Sequence, residues 1–397
     1  MVKKIRFNNL MYKKYILQYL PNDFLELSKQ PHFFYENKKL KSAFLIDLVH
    51  SLVSKYFNKK NNKLSLSSEI LKERYGYLYN YYINYLITYK VLKLILNYKK
   101  GINCRIYELN THICKGNMLR YVNTDRIILK RYNLKSNINN FINKSVETII
   151  PVDIKKKLVL DLYSVKVDYS KSIFYLDNTF NDDTIYNRNK YSIDCIDQNQ
   201  IFYHFDAFGR MHTNFTVLKS FIRKNCLLID GEETYEVDIS NSQPIFLNIL
   251  MQEANYYHSD GVQFYRYLTY NGKLYQYIMD KFPIYTEKKM VKEMVYKVFF
   301  GQNKKNIHDI NFEYLFPEVY QFIIDFKKNK GDYRSLSHAL QLAESNLIFK
   351  KIVKSIMDYN PEIKLITVHD SIICAKKYSK IVELIFEEKL KQQFNMN

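Results

Sequence analysis

The sequence predicts an α+β protein in which helices and short antiparallel hairpins share the chain. Three patterns support this prediction: helices followed by a hairpin over residues 41–112, a strand that turns into a helix over 234–250, and a second hairpin over 363–375. Alternation of apolar and polar residues indicates strands, whereas an apolar stripe with the helical period indicates helices. The 397 residues are enough for two or three domains.

An N-terminal domain is expected over residues 1–112. Its elements would be a helix at about 41–57, a capping Ser67 before a helix at 69–75, a Tyr-rich helix at 77–88, and strands at 91–98 and 102–109 around Gly101. Three helices and a hairpin resemble a winged helix-turn-helix, and they equally fit a small structural helical domain. The third helix carries hardly any Lys or Arg, which weakens the case for major-groove binding.

The rest of the chain divides into two regions. Residues 113–200 form a polar connecting region with short helical stretches and an expected loop near 177–190. Residues 201–397 show sharper strand and helix patterns. We expect the catalytic chemistry in this last region.

The charge balance favours a polyanionic partner. Sixty basic residues against forty acidic ones give a formal net charge of +20. Each Lys or Arg placed against a phosphate releases a counterion, so such a surplus suits nucleic acid. The alternative is codon drift in an AT-rich genome, which the 37 Tyr and the absence of Trp also fit.

Cysteine usage and hydropathy predict a cytoplasmic protein. The five cysteines are an odd number without metal-ligand spacing, so they fit reduced thiols rather than a disulfide framework. No apolar run is long enough to cross a bilayer, and we therefore expect no membrane span.

Two carboxylates stand at the ends of expected strands. Residues 234–239 alternate as a strand, with Asp238 near its end. In the hairpin at 363–375, two β-rich runs flank a polar tip that contains His369 and Asp370. Alone, an Asp at such a place is more typical of a helix cap or a turn. Together, the two acids are the pair that two-metal catalysis needs at a reacting phosphate.

A cationic helix is expected after Pro283, capped by Thr286 and ended by Gly301. Residues spaced four apart share one face of it, namely Lys288, Lys292, Tyr296 and Phe300. Lysines neutralise phosphates and aromatic rings stack on base and sugar, so this stripe suits a nucleoside triphosphate. The alternative is an ordinary solvated lysine face beside an apolar one.

Three segments resemble, in the right order, the motifs of family A DNA polymerases, the group of bacterial DNA polymerase I, and of the related phage single-subunit RNA polymerases. Residues 237–243 resemble motif A, residues 288–301 motif B and residues 368–371 motif C. Two flanking segments agree. Residues 208–214, with Arg210, are similar to a stretch that touches the primer end, and a helix at 335–357, with Gln341, lies where the family has a Gln near the template.

Some positions depart from the family pattern. Lys288 replaces an Arg, Gln243 replaces the Glu of the DNA enzymes, and Phe300 replaces a Tyr. Ser371 follows the motif C Asp, as it does in the RNA polymerases. The segment between motifs B and C is short, and no exonuclease signature precedes motif A, so no proofreading domain is expected.

The resemblance, which covers about residues 198–385, implies a right-hand polymerase. A palm would hold an antiparallel sheet with Asp238 and Asp370, the helix at 287–300 would belong to the fingers, and residues 113–200 would supply a helical thumb. It also implies that the two acids bind two Mg²⁺ ions, with Mn²⁺ as an alternative.

The resemblance further implies roles for the remaining site residues. Lys292 would contact the triphosphate and protonate the leaving pyrophosphate, assisted by Lys288. Tyr296, Phe300 and Gln243 would line the nucleotide pocket. The nucleic-acid contacts would be Arg210, His369 and Gln341.

The expected function is template-directed nucleotide transfer, most simply by a DNA-dependent DNA polymerase of a phage, plasmid or other mobile element. Its partners would be a DNA template–primer and nucleoside triphosphates. One alternative is an RNA polymerase or primase built on the same palm. Another is a replication initiator that binds DNA without catalysis.

Overall fold

The computed structural model describes residues 13–136, 149–302 and 304–393, and these residues lie in two compact units. Unit 1 comprises Met1–Val146, Val165–Phe202 and Thr213–Gly231, and unit 2 comprises Glu147–Ser164, Tyr203–His212 and Glu232–Asn397. The expected division at residues 112 and 200 stays a prediction.

The described residues form antiparallel strands and a larger number of helices, as the α+β prediction requires. The strands are β1 Ile16–Leu20, β2 His32–Tyr35, β3 Lys38–Lys41, β4 Lys63–Leu66, β5 Leu92–Leu96, β6 Arg105–Leu109, β7 Leu119–Asn123, β8 Val165–Val167, β9 Tyr203–Phe205, β10 Met211–Thr213, β11 Leu227–Ile229, β12 Glu232–Asp238, β13 Ile366–Val368 and β14 Ser371–Ala375. The helices are α1 Leu25–Ser28, α2 Ser42–Lys59, α3 Ser68–Tyr75, α4 Tyr79–Thr88, α5 Arg126–Ser136, α6 Val152–Leu162, α7 Tyr169–Thr179, α8 Asp183–Asp197, α9 Asn214–Val217, α10 Ser220–Cys226, α11 Ser242–Glu253, α12 Asp260–Tyr270, α13 Leu274–Lys281, α14 Lys288–Phe300, α15 Ile307–Leu315, α16 Pro317–Asn329, α17 Ser335–Ser345, α18 Lys354–Tyr359 and α19 Ser379–Gln393.

The N-terminal part of unit 1 contains the helices and the hairpin expected there. Helix α2 is followed by β4, α3, α4 and the β5–β6 hairpin, and the three strands pair antiparallel in the order β4-β6-β5. The Oγ atom of Ser67 accepts a hydrogen bond from the amide of Ile70, which confirms the predicted cap. Strand β4 was missed, because three of its four residues belong to the segment 64–67, which was interpreted as a helix cap.

Two buried acids organise the interior of unit 1. Asp47, on α2, accepts hydrogen bonds from Gln18 Nε2 at 2.6 Å and from the Tyr75 hydroxyl at 2.9 Å. Asp194, on α8, accepts from the hydroxyls of Tyr19 at 2.5 Å and Tyr169 at 3.0 Å. Helix α8 occupies most of the segment where a loop was expected, and the loop itself is limited to residues 180–182.

In unit 2, strand β14 is the middle strand of an antiparallel group in the order β13-β14-β12. All five of its residues are buried. The expected strand at 234–239 and the expected hairpin at 363–375 are therefore confirmed. The register pairs Asp238 with Ser371 and Val368 with the same Ser371, so the end of β12 lies beside the β13–β14 turn.

The helix expected at 335–357 is confirmed, but its middle is not α-helical. Helix α17 leads into a π-helical segment, Asn346–Val353, which continues as α18. Such i→i+5 segments are rare and often occur at functional sites.

A buried ion pair fixes the chain just before β13. Lys157 Nζ lies 2.5 Å from Asp161 Oδ2 on α6, and it also donates to the carbonyl of Ile363 at 2.8 Å. The same Asp161 oxygen accepts from the amide of Leu365 at 2.9 Å. Burial raises the pKa of Asp161 to about 6, although Lys157 opposes this shift.

None of the helices in the described ranges is long and apolar enough to cross a membrane. The five cysteines are free thiols, as the sequence predicts.

Candidate active site

The two acids singled out from the sequence lie at the same edge of the unit 2 sheet. Asp238 is the last residue of β12, and Asp370 lies in the two-residue turn between β13 and β14. The cross-strand partner of Asp238 is Ser371, the residue directly after Asp370. Residues opposite each other on antiparallel strands have Cα atoms about 5 Å apart, so both carboxylates belong to one small region.

The turn that carries Asp370 is fixed by hydrogen bonds of the next residue, Ser371. Ser371 is buried, and its Oγ donates to Glu236 Oε1 at 2.8 Å and approaches the carbonyl oxygen of Val368 at 3.0 Å. His369 has a left-handed backbone, with φ of 56°. A two-residue hairpin loop of the favoured types needs a positive φ at a central residue, so this conformation belongs to the turn.

Both acids are accessible to a ligand. Asp238 is exposed and Asp370 is partly exposed. Asp238 also lines a cavity of about 480 Å³, together with Glu236 and with Glu383 and Glu387 from α19. The local charge is therefore negative, which attracts cations and repels a bare triphosphate.

A third acid, which the sequence analysis missed, lies close to this pair. Glu344 is on α17 and is only 1% exposed. Its two oxygens accept from Arg210, Nε to Oε1 at 2.8 Å and Nη2 to Oε2 at 2.5 Å. Oε2 also accepts from Gln243 Nε2 at 3.3 Å. The sequence contained only a weak indication of Glu344, namely that it is the only acid between residues 335 and 357.

Electrostatics connects Glu344 to the Asp pair. Burial raises the pKa of Glu344, the hydrogen bonds and charge of Arg210 lower it, and the nearby charge of Asp370 raises it again. The structure thus brings Arg210 and Gln243 onto one buried carboxylate, on whose pKa the charge of Asp370 acts. Gln243 reaches it from the first turn of α11, directly after the loop that follows Asp238.

The β9–β10 hairpin positions Arg210. Asp206 accepts from the amides of Phe208 at 2.9 Å and Arg210 at 3.0 Å, and it lies 2.9 Å from His212 Nε2. Gly209 has φ of +85°, and a Cβ atom there would lie 3.2 Å from the Cβ of Ser345. A side chain at this position would be strained by the positive φ, and it would crowd α17.

The hairpin also approaches the Asp370 turn. The ring centroids of His212 and His369 are 6.2 Å apart. Met211 Sδ lies 3.9 Å from Thr367 Oγ1 on β13. His369 itself is exposed.

Helix α14 carries the predicted cationic stripe on its outward face. Lys288 and Lys292 are exposed, whereas Tyr296 and Phe300 are half-buried. Lys292 Nζ lies 5.5 Å from the ring centroid of Tyr296, which is 5.4 Å from that of Phe300. The four side chains therefore form one continuous surface, as their spacing predicts.

The predicted cap of α14 is wrong. Glu287 is the N-cap residue and makes no side-chain capping bond, while Thr286 Oγ1 points to Met290 Sδ at 3.5 Å. Thr286 is one residue too early, because the chain is still extended at Glu287. Gly301 does follow the helix, but with φ of −68° rather than the left-handed value of a glycine cap.

A buried lysine, which the sequence analysis did not identify, donates hydrogen bonds at the C-terminal end of α14. Lys327, on α16, donates to the carbonyls of Val298 at 2.8 Å and Gly301 at 3.1 Å. Burial lowers its pKa to about 8. A cation at a helix C-terminus is favourable because the last carbonyls lack partners in the helix.

Helix α14 packs against α17, the helix that carries Gln341 and Glu344. Gln341 is half-buried and donates to Ser337 Oγ, one turn earlier, at 3.2 Å. Gln341 and Glu344 are three residues apart, so they lie on neighbouring positions of one helix face.

The Asp pair suits Mg²⁺ in combination with a substrate. Within the described ranges, no group of three or more His, Cys, Asp or Glu residues could hold a metal ion by itself. Mg²⁺ characteristically binds to one or two carboxylates and completes its shell with water and substrate phosphates. Two accessible carboxylates at one sheet edge meet that requirement.

No protein-family model matches the sequence, and no curated protein matches it either.

Proposed function

We propose that this chain is a template-directed nucleotidyltransferase, and specifically a DNA-dependent DNA polymerase of a phage, plasmid or other mobile element. The observation that supports this most is the register of β12 and β14, in which Asp238 is opposite the residue that follows Asp370. It gives two accessible carboxylates a common sheet edge, which in-line phosphoryl transfer with two metal ions requires.

Asp238 and Asp370 would hold two Mg²⁺ ions, or Mn²⁺ in their place. When bound, these ions would lower the pKa of the primer hydroxyl and neutralise the leaving pyrophosphate. The protein itself contributes mainly position and charge, because phosphoryl transfer needs little covalent chemistry from side chains.

The remaining residues would bind the two substrates. Lys292 and Lys288 would neutralise the triphosphate, and Tyr296 and Phe300 would contact base and sugar, because all four lie on the outward face of α14. Gln243 would line the same nucleotide pocket. The contacts to the template–primer would come from Arg210, His369 and Gln341.

The right-hand arrangement is part of the proposal. The β13-β14-β12 group would be the palm, α14 the fingers helix, and residues 113–200 the thumb. The ordered series α2, β4, α3, α4, β5 and β6 supports a winged-helix-like domain in the N-terminal part of the chain. We further propose a cytoplasmic location, which the free thiols fit.

Primer extension with separate pools of dNTPs and rNTPs tests this function. The purified chain, a primed DNA template and Mg²⁺ should give extension with dNTPs. Asp238→Asn should abolish it, and Glu233→Gln should not, since Glu233 is an exposed acid on the same strand that forms a surface ion pair with Lys376. Extension by Asp238→Asn at the wild-type rate would reject the assigned site.

The same assay separates the alternatives. Extension with rNTPs alone would identify an RNA polymerase or primase. Tight binding of duplex DNA with no incorporation from either pool would favour the replication initiator, for which the β4-β6-β5 sheet and its helices are the supporting observation.

A further inference from the structure

The Arg210–Glu344 pair fixes the direction of a partly buried guanidinium. Two parallel hydrogen bonds join the planar fork of Arg210 to both oxygens of Glu344. The Glu side chain is 2% exposed and the Arg side chain 20%. Bidentate pairs of this kind combine charge with a single favoured geometry, so the cation is held against α17.

Only the side chain of Arg210 has freedom to move elsewhere. Its amide donates to Asp206 Oδ1, and the preceding Gly209 lies against Ser345. Replacing Glu344 would therefore leave the backbone in place and release the guanidinium alone.

A released guanidinium would meet the Asp pair. The charge of Asp370 acts on Glu344, and His212, two residues after Arg210, faces the ring of His369 beside Asp370. Arginine stays charged at every physiological pH and needs an anionic partner when partly buried. Asp206 already accepts from two backbone amides and lies 2.9 Å from His212 Nε2, so Asp370 is the neighbouring acid that we expect the guanidinium to bind.

We propose that Glu344 is a positioning residue that holds the Arg210 guanidinium away from Asp370, and so keeps that carboxylate available to a divalent cation. The inference rests on the proposed function, because it assumes a metal site at the Asp pair. Arginine and a metal ion compete for the same carboxylate oxygens, so an arginine-bound Asp370 would bind the ion more weakly.

Glu344 also orients Gln243. A carboxylate only accepts hydrogen bonds, so the amide nitrogen of Gln243 must face it and the amide oxygen must point elsewhere. The buried Glu344 thus fixes both the guanidinium of Arg210 and the amide of Gln243 at the edge where the Asp pair lies. The two effects predict different results when the charge alone is removed, because an amide in place of Glu344 still offers an acceptor to Gln243.

Mn²⁺ binding, measured by electron paramagnetic resonance on the full chain without DNA or nucleotide, tests the inference. Four proteins suffice: wild type, Asp370→Asn, Glu344→Gln, and the double variant Glu344→Gln/Arg210→Gln. Wild-type binding should weaken at least about tenfold in Asp370→Asn and in Glu344→Gln. The double variant should return to within about threefold of wild type, because no guanidinium then competes.

Two controls keep the result interpretable. Glu313→Gln removes an acid that pairs with Lys305 in an exposed position, and it should leave Mn²⁺ binding unchanged. Thermal unfolding of each variant checks the fold. The double variant replaces the ion pair by two neutral amides, so it remains testable even if Glu344→Gln alone is unstable.

Each outcome is decisive. Wild-type affinity in Glu344→Gln, or a double variant as weak as Glu344→Gln, would overturn the positioning role while leaving the metal site intact. Mn²⁺ binding that does not respond to Asp370→Asn, or no binding by wild type, would reject the substrate-free metal site and with it this inference, whereas primer extension by the same proteins decides the proposed function separately.

Discussion

The buried acids of unit 1 and the sheet-edge acids of unit 2 use the same chemical group in opposite ways. Asp194 is fully buried and surrounded by donors, with two tyrosine hydroxyls and Lys190 Nζ at 3.1 Å. Asp238 and Asp370 stand at strand ends and are accessible to solvent. A buried carboxylate must be satisfied by the protein, whereas an accessible one can bind an external cation.

The difference teaches how to separate structural acids from candidate catalytic ones in this chain. Loss of a structural acid leaves buried donors without a partner, so it lowers the free energy of unfolding. Loss of an accessible acid at a sheet edge should lower it less, because pairs of solvent-exposed charges contribute little to stability. The two classes should therefore separate cleanly when activity and stability are measured on the same variants.

The largest effect is expected for Asp370→Asn. Primer extension should fall at least about a thousandfold, which corresponds to about 4 kcal/mol of transition-state stabilisation. The free energy of unfolding, measured by urea denaturation, should stay within about 0.5 kcal/mol of wild type. Loss of stability without loss of activity would place Asp370 among the structural acids and would contradict the division into structural and catalytic acids.

Asp194→Asn should show the reverse behaviour. Lys190 and Arg120 would lose their anionic partner, and we expect the free energy of unfolding to fall by about 3 kcal/mol. Extension per folded molecule, measured below the onset of unfolding, should remain close to wild type. A fully stable variant would show that the tyrosine hydroxyls alone satisfy this site.

The same test of activity can be applied to the exposed lysines of α14. Lys292 is exposed on α14, and Lys292→Ala should lower the extension rate by about a hundredfold, or about 2.7 kcal/mol, with DNA affinity unchanged. The matched control is Lys289→Ala, an exposed lysine on the same helix outside the stripe. If Lys292→Ala lost DNA affinity alone, Lys292 would contact the nucleic-acid backbone instead.

The smallest effect concerns the pH dependence of Asp161. Its pKa is about 6 in the folded protein, against about 3.9 in an unfolded chain. The folded state therefore binds more protons between these values, and the contribution of Asp161 to stability falls as pH rises from 4 to 6.

Asp161→Asn should remove this fall. The folded and unfolded pKa values of Asp161 differ by about 2, so its contribution to the free energy of unfolding can change by at most about 3 kcal/mol. Relaxation around a buried pair reduces the expected change to on the order of 1 kcal/mol. Urea denaturation at pH 4 and pH 6 measures it. If the free energy of unfolding changes between pH 4 and pH 6 by the same amount in wild type and in Asp161→Asn, other groups are responsible for the change.

Local patterns made much of unit 2 predictable. Alternation located β12 and the β13–β14 hairpin, and four-residue spacing located the outward stripe of α14, because each signal lies within one element. The Arg210–Glu344 pair could not be predicted, since 134 residues separate its members and neither lies in a pattern that points to the other. The cap of α14 was misplaced by one residue because capping depends on the backbone angle at Glu287.

The π-helical segment Asn346–Val353 sets the direction in which Glu344 points. Each residue of an α-helix advances the azimuth by about 100°, whereas a π-helical turn takes about one more residue for the same rotation. If the segment became regular α-helix at its present length, everything before it would therefore rotate by about 100°. Glu344 would then turn away from Arg210 while α18 kept its place. Loss of the π-helical geometry is thus equivalent to a substitution at Glu344, although it alters none of the side chains of the site.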